Sequence, residues 1–348
     1  MSASVIDTNL PPAVLRRKII RYAVGIVIAI AIAFGVNWPA SFLAVVLANS
    51  FLLGHKPTFK FGLDFTVKVI IAVVVALFLS NYLLQYRNIY VVLNGLILFY
   101  LFYAKDTLIS PILKMWLLLT SFIIPLMSLK SIMIGEIVGW SIIISTVVAL
   151  LVVWTAFAFF PDKENPQADK KAHTPALIGL SDYERFIAAL KRTLVVYPVV
   201  VLFFLFGFQS DVLILIYIGI YSSFPGFAKD LSVGKTLLVG CITGGIISFF
   251  IYEIMVLVPM FTFLLLLFFG VALLIGNEIL GGGKYANQIK AGFSTIVIIL
   301  GSAFGSNQVD AGGKMFLRVV QIAIVVIYLV LAFGLIEKLF PARQQSKQ

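Results

Sequence analysis

The sequence predicts an all-α polytopic membrane protein with about twelve transmembrane helices, arranged as two parallel six-helix repeats. Apolar residues make up 61% of the chain and charged residues only 12%, whereas about 25% of residues are charged in an ordinary soluble domain. The mean hydropathy of +1.08 points the same way. The third observation is that short motifs recur in the same order in the two halves of the chain.

Apolar runs separated by short polar or proline-containing loops define the predicted spans. We predict spans at residues 19–37, 39–54, 63–84, 88–104, 110–128, 134–160, 191–208, 211–226, 233–252, 256–276, 287–305 and 314–339. We expect the first to be an uncleaved span, because residues 1–10 lack the charged segment of a signal peptide. Pro11 and Pro12 are predicted to start a helix ahead of it.

The distribution of basic residues predicts the orientation. With a cytoplasmic N-terminus, 22 of the 26 basic residues fall on the inner side, and only Arg87, Lys130, Lys314 and Arg318 fall outside. The positive-inside rule therefore places both termini in the cytoplasm. Topology and contact with anionic membrane lipid account for the net charge of +11, so no nucleic-acid partner is predicted.

Repeated motifs predict a duplication. "LRRKIIRY" (15–22) matches "LKRTLVVY" (190–197), and Lys114 and Lys290 precede similar apolar runs. At one common offset, Pro57, Phe59, Leu63 and Ser80 recur as Pro225, Phe227, Leu231 and Ser248. Six spans per half is an even number, which makes the repeats parallel. The predicted domains are a first membrane repeat at 1–160, a cytoplasmic linker at 161–185 and a second membrane repeat at 186–348.

The linker between the repeats is polar and contains prolines. Within it, Ser181 and Glu184 have the spacing of a capping box. This motif predicts a helix that runs without a break into the seventh span.

The second span of each half is short, polar at one end and followed by a proline. The run from Ala40 to Gly54 would cover about 22 Å as a helix, against about 30 Å of hydrocarbon. Paired interrupted spans at matching positions are typical of a transport site. The predicted substrate-binding residues are Asn49, Ser50, Tyr221, Ser222 and Ser223, with Asn94 from the middle of the fourth span. The alternative is that these side chains hydrogen-bond neighbouring helices.

Few ionisable residues lie close enough to the membrane interior to move protons or attract an anion. The candidates are Asp64, Lys68, Asp211, Glu136 and Glu253. Asp64 and Lys68 are four residues apart and can pair on one helix face, or Lys68 can attract an organic anion. The alternative for Glu136 and Glu253 is a solvated helix end, and for Asp211 it is a helix N-cap.

Signatures of enzymes are largely missing from the sequence. "GGGK" at 281–284 fails as a phosphate loop, because Glu278 stands where the first glycine is needed. His55 and His173 have no metal-ligand spacing around them, and the single cysteine, Cys241, excludes a disulfide framework. We predict no enzymatic activity, metal or cofactor.

The overall plan resembles the fusaric-acid-resistance and aromatic acid exporter superfamily. The resemblance rests on the basic residues before span one, the short second span that follows Trp38, and the glycine-spaced "KTLLVGCITGG" that begins at Lys235. The first half departs from that pattern, because "KVIIAVVVALFLS" has no glycine pair. The resemblance implies export of small organic acids across a bacterial inner membrane, with a periplasmic adaptor (membrane fusion protein) and an outer-membrane channel as partners.

The leading functional hypothesis is a proton-driven exporter of small organic anions such as aromatic carboxylates. A passive anion channel is the first alternative, since plant malate channels share the superfamily's six-span unit. A membrane scaffold subunit of a larger efflux assembly is another. A major-facilitator carrier is disfavoured, because the loop "GHKPTFKFGLD" lacks that family's acidic-arginine motif. A homo-oligomer is compatible with every alternative.

Overall fold

A computed structural model describes residues 11–161, 182–207, 214–215, 218–219, 231–304, 320–321, 324–325, 327–329 and 331–336. Within these ranges the regular structure consists of helices, and no residue there belongs to a strand. The all-helical fold class predicted from composition is therefore confirmed for the described part of the chain.

Ten helices of the described ranges each overlap one predicted span. They are α1 (Pro12–Val36), α2 (Phe42–Leu52), α3 (Phe59–Leu83), α4 (Arg87–Tyr103), α5 (Pro111–Ser128), α6 (Ile132–Phe159), α7 (Asp182–Phe206), α8 (Leu231–Leu257), α9 (Phe261–Leu280) and α10 (Ala286–Phe304). Helix α1 begins at Pro12, and α7 runs from Asp182 into its span, as predicted. Most of the predicted eighth span and part of the twelfth lie outside the described residues.

Seven of the described helices are long and apolar enough to cross a membrane. Large apolar side chains also point outward along them; on α3, Val74 is 56% and Phe78 60% exposed. A soluble monomer rarely leaves such continuous apolar surface open to water, whereas lipid solvates it. The helices are those of a multi-pass membrane protein.

Helix α2 is as short as the sequence predicted. Its 11 residues span about 16 Å at about 1.5 Å per residue, roughly half the thickness of the hydrocarbon layer. It therefore cannot cross a bilayer by itself, and its ends must be satisfied by the protein around them.

The turn between α1 and α2 contains two residues with positive φ. Asn37 (φ 53°) ends α1 in the left-handed conformation, and Ala40 (φ 58°) precedes α2. Asparagine tolerates this region, but alanine pays a steric cost because of its Cβ. The turn is fixed from α6: Trp38 Nε1 donates to Ser145 Oγ at 2.9 Å, and Ser145 Oγ donates to the carbonyl of Ala40 at 3.4 Å.

We expect Ala40→Gly to stabilise the protein by about 1 kcal/mol, because glycine adopts positive φ without the Cβ clash. Ala33→Gly is the matched control: Ala33 is buried inside helix α1, where the same change should destabilise by about 1 kcal/mol or more. Thermal unfolding of the detergent-solubilised protein measures both. A lower midpoint for Ala40→Gly would contradict the strained turn.

The described residues form two compact units. Unit 1 contains those within 1–70, 140–176 and 239–320, and unit 2 contains those within 71–139, 177–238 and 321–348. Each unit therefore combines segments from both halves of the sequence. Helices α3, α6 and α8 contribute residues to both units.

In unit 1, α1 packs against α2 and α9, and α10 packs against α2 and α9. Tyr22 of α1 is fully buried and lies against Gly276 of α9, where a Cβ would come within 2.9 Å of the tyrosine ring. The missing side chain at this glycine makes room for the aromatic ring and allows α1 and α9 to approach each other.

In unit 2, α4 packs against α7 and α5. Here Tyr197 of α7 lies against Gly95 of α4, where a Cβ would come within 2.6 Å of the ring. The Tyr197 hydroxyl donates to the carbonyl of Val91 at 3.1 Å. Unit 2 thus contains its own tyrosine-on-glycine contact between two packed helices.

Candidate functional site

A chain of hydrogen bonds runs through the interior of unit 1 from α1 to α10. The Tyr22 hydroxyl donates to Asn49 Oδ1 at 2.8 Å, and Asn49 Nδ2 donates to Ser294 Oγ at 3.3 Å. Ser294 Oγ donates in turn to the carbonyl of Lys290, one helical turn earlier, at 3.2 Å. The polar residue of the short helix α2 is thus held between α1 and α10.

Asn49 is fully buried in this arrangement. A buried polar group in an apolar environment costs free energy unless it is hydrogen-bonded, and both ends of the Asn49 amide have partners. The hydrogen bonds to α1 and α10 are those that the helix-contact alternative expected.

Lys290 lies at the end of this chain and is partly buried. No acidic side chain or other hydrogen-bond acceptor among the described residues pairs with its ammonium group. The neighbouring buried cation, Arg21, differs: its guanidinium donates to the carbonyl of Phe160 at 3.2 Å and lies 3.8 Å above the ring of Phe157. Lys290 is therefore a partly buried cation without a counter-ion among the described residues, and it joins the polar chain of unit 1 through its backbone carbonyl.

Lys114 of unit 2, which the predicted repeat pairs with Lys290, is neutralised. Its ammonium group donates to the carbonyl of Ala104 and pairs with Asp106 Oδ1 at 2.7 Å. The loop before α5 supplies that acid, whereas the corresponding loop before α10 is the glycine-rich segment 281–284. Asp106 in the loop before α5 thus gives Lys114 an acidic partner that Lys290 does not have among the described residues.

The other predicted substrate residues of the described ranges make local contacts. Ser50 Oγ donates to the carbonyl of Val46 in its own helix, at 3.1 Å. Asn94 lies buried in unit 2, where its Nδ2 donates to Tyr90 Oη at 3.0 Å and to the carbonyl of Ser121 at 3.1 Å. Asn94 Oδ1 is buried without a hydrogen-bond partner, so this amide keeps one open acceptor.

The predicted ionisable candidates lie near the surface. Asp64 and Lys68 form the expected i,i+4 ion pair, with the side chains 52% and 21% exposed. Glu136 and Glu253 are both exposed. Asp211, Tyr221, Ser222 and Ser223 lie outside the described residues, so their predicted roles stay predictions.

Three residues of the unit 1 chain did not enter the predicted site: Tyr22, Ser294 and Lys290. Tyr22 and Lys290 do belong to motifs that recur in the second and first halves, respectively. The signal that could have singled out Lys290 is the comparison of its preceding loop with that of Lys114. In the described part of the chain, no group of three or more His, Cys, Asp or Glu residues could hold a metal ion.

Comparison with protein families finds a match over part of the chain. The model of a family described as "Protein of unknown function (DUF2955)" matches residues 18–156, a segment that runs from α1 into the last turn of α6. Searches of curated proteins and of solved structures found no match.

Proposed function

We propose that this protein is a secondary transporter that exports small organic anions, such as aromatic carboxylates, across a bacterial inner membrane. The observation that carries the proposal is Lys290, a partly buried lysine that has no counter-ion among the described residues and whose carbonyl accepts the last hydrogen bond of the Tyr22–Asn49–Ser294 chain. Ionisable residues within membrane spans are costly and typically mark the path of a substrate or ion.

An organic anion would supply the negative charge that no described residue provides at Lys290. A carboxylate at Lys290 would neutralise its charge and form a charge-assisted hydrogen bond, which is about twice as strong as a neutral one. One helical turn further along α10, Ser294 and its partner Asn49 offer a hydroxyl and an amide for a second polar group. In this proposal α2 is the moving part, because it is too short to be anchored at both membrane surfaces.

The proposal includes the two-repeat architecture with twelve spans. Each unit supports it, because each combines the first helix of one half with the fourth helix of the other: α1 with α9 in unit 1, and α7 with α4 in unit 2. Both pairs are joined by a tyrosine against a glycine. The family match also ends at residue 156, close to the predicted end of the first repeat.

A passive anion channel is the second candidate, and a specific observation favours it. The acidic residues that the sequence offered for proton coupling in the described ranges, Asp64, Glu136 and Glu253, are exposed. A proton-coupled carrier needs a group that titrates along its path, whereas a channel needs only an attractive lining. If the protein is instead a scaffold subunit of an efflux assembly, it does not itself carry anions, and replacing Lys290 should leave the flux of organic anions unchanged.

The remaining parts of the proposal concern location and partners. Both termini face the cytoplasm, and a periplasmic adaptor and an outer-membrane channel complete the route out of the cell. The predicted outer loops are only a few residues long, so the chain itself has little mass with which to reach a second membrane.

Retention of labelled benzoate in efflux-deficient bacteria tests this function. Cells that express the chain with a cognate adaptor should retain less benzoate than cells that express Lys290→Gln, and a protonophore should restore retention. Lower retention that the protonophore does not change would favour the channel. Equal retention with both proteins, at matched membrane levels, would remove organic anions from the account.

A further inference from the structure

Unit 2 contains a second cation, Arg192, that has no hydrogen-bond acceptor among the described residues. Arg192 of α7 is only 9% exposed. Its Nε is buried and has no hydrogen-bond partner, and no ion pair or hydrogen bond joins its guanidinium to another described residue. A guanidinium has five N–H donors in a planar fork, and a buried N–H without an acceptor, as at Nε, is costly.

The charges around Arg192 do not balance. Asp106 is the acidic group that acts electrostatically on Arg192, but that carboxylate already accepts from Lys114 at 2.7 Å. One carboxylate, Asp106, thus faces two cations that are largely buried. The Lys114 side chain is 15% exposed, and Arg192 is 9% exposed. A buried charge without a compensating partner is strongly destabilising, and Asp106 cannot compensate both cations.

A second carboxylate on this side of unit 2, Asp182, is also paired with other cations. Arg185 lies seven residues before Arg192 and so on the same face of α7. Asp182 is shared by two cations, at 3.4 Å from Lys105 Nζ and 3.5 Å from Arg185 Nη1. Asp106 and Asp182 thus each already pair with at least one cation other than Arg192.

We propose that Arg192 and Lys114 form a binding site for a phosphate-type oxyanion, supplied by the headgroup of an anionic lipid. Arg192 stands at the predicted inner boundary of the seventh span, which begins at residue 191. Basic pockets between membrane helices on the cytoplasmic side typically bind anionic headgroups. The Arg fork matches two oxygens of one phosphate, and Lys114 contributes a second positive charge.

This site is distinct from the proposed transport site, which lies in unit 1, and it does not require transport. The bound lipid headgroup stabilises the packing of α4, α5 and α7, because it supplies a negative charge that the described residues do not. The same chemistry is available from free phosphate, so the two sources need separate arms in the test.

The test measures thermal unfolding of the full-length protein in neutral detergent during titration with phosphatidylglycerol, phosphatidylcholine or inorganic phosphate. Phosphatidylglycerol should raise the midpoint of the wild type, and phosphatidylcholine should not. Arg192→Gln should weaken the affinity for phosphatidylglycerol at least about tenfold, since it removes charge-assisted hydrogen bonds. Arg17→Gln is the matched control, because Arg17 holds the corresponding position in the first repeat and is exposed.

A second variant keeps the test decisive if Arg192→Gln does not fold. Asp106→Asn removes the competing carboxylate and should tighten phosphatidylglycerol binding. A midpoint shift with inorganic phosphate that depends on Arg192 and replaces the lipid effect would assign the site to soluble phosphate. The proposal is overturned if neither ligand shifts the wild type, if Arg192→Gln keeps the full lipid effect, or if Asp106→Asn leaves it unchanged.

Discussion

Replacing Gly244 by valine is expected to cost at least about 3 kcal/mol of stability and to prevent accumulation of folded protein. Gly240 and Gly244 of α8 lie against α10, where any Cβ at Gly244 would collide with the backbone of Gly292. A Cβ at Gly292 would come within 2.9 Å of the carbonyl oxygen of Gly240. Because the obstacles are backbone atoms, no side-chain rotation relieves the clash. Close approach of this kind is how small residues hold membrane helices together.

Gly270→Val is the matched control for this crossing. Gly270 lies on α9, and a Cβ there would meet nothing within 4 Å, so the same substitution should change stability by no more than about 1 kcal/mol. The amount of protein that stays monodisperse in detergent and the midpoint of thermal unfolding measure the difference. A Gly244→Val protein as stable as Gly270→Val would show that α8 and α10 do not pack through their glycines.

The second large effect is expected at Lys290. Lys290→Gln should reduce organic-anion flux at least about tenfold, because it removes the positive charge that the substrate neutralises. Stability should stay within about 0.5 kcal/mol of the wild type, since the ammonium has no partner among the described residues to lose. The measurement is efflux from proteoliposomes combined with thermal unfolding of the same preparation.

Lys114, which the predicted repeat pairs with Lys290, provides the control for this change. Lys114→Gln should leave Asp106 without its partner and cost about 1–3 kcal/mol while flux per folded molecule changes little. Lys284→Gln removes an exposed charge six residues before Lys290 and should change neither quantity. If all three variants lose flux equally, then the effect is one of overall charge and not of the Lys290 site.

The positions of the helices could be predicted from the sequence because hydrophobic runs and prolines mark them clearly. The predicted span 88–104 became α4 (Arg87–Tyr103), and the short second span became α2 (Phe42–Leu52). The partners of each helix were not predictable. Helices that are apolar all round have no polar stripe to show which face meets protein and which meets lipid. In the pairing of α1 with α9, Gly276 is the residue whose small size marks the contact.

The candidate site was predicted in part. Asn49 was singled out because it interrupts a short apolar helix, and the structure places it at the centre of a polar chain. Lys290 was missed because a lysine at a helix start is ordinary, and its significance depends on a missing acid in the loop before it. Sequence patterns show which charges are present, but pairing depends on packing, as the contrast with Lys114 shows.

Efflux of labelled phthalate from proteoliposomes that contain the wild type or Lys290→Gln tests whether Lys290 binds a transported organic anion. Phthalate is an aromatic dicarboxylate whose two charges make its passage through bare lipid slow. If Lys290 binds the transported anion, efflux should be rapid with the wild type. At equal incorporation, its rate should fall at least about tenfold with Lys290→Gln. Efflux no faster than from empty liposomes, or equal efflux with both proteins, would contradict it.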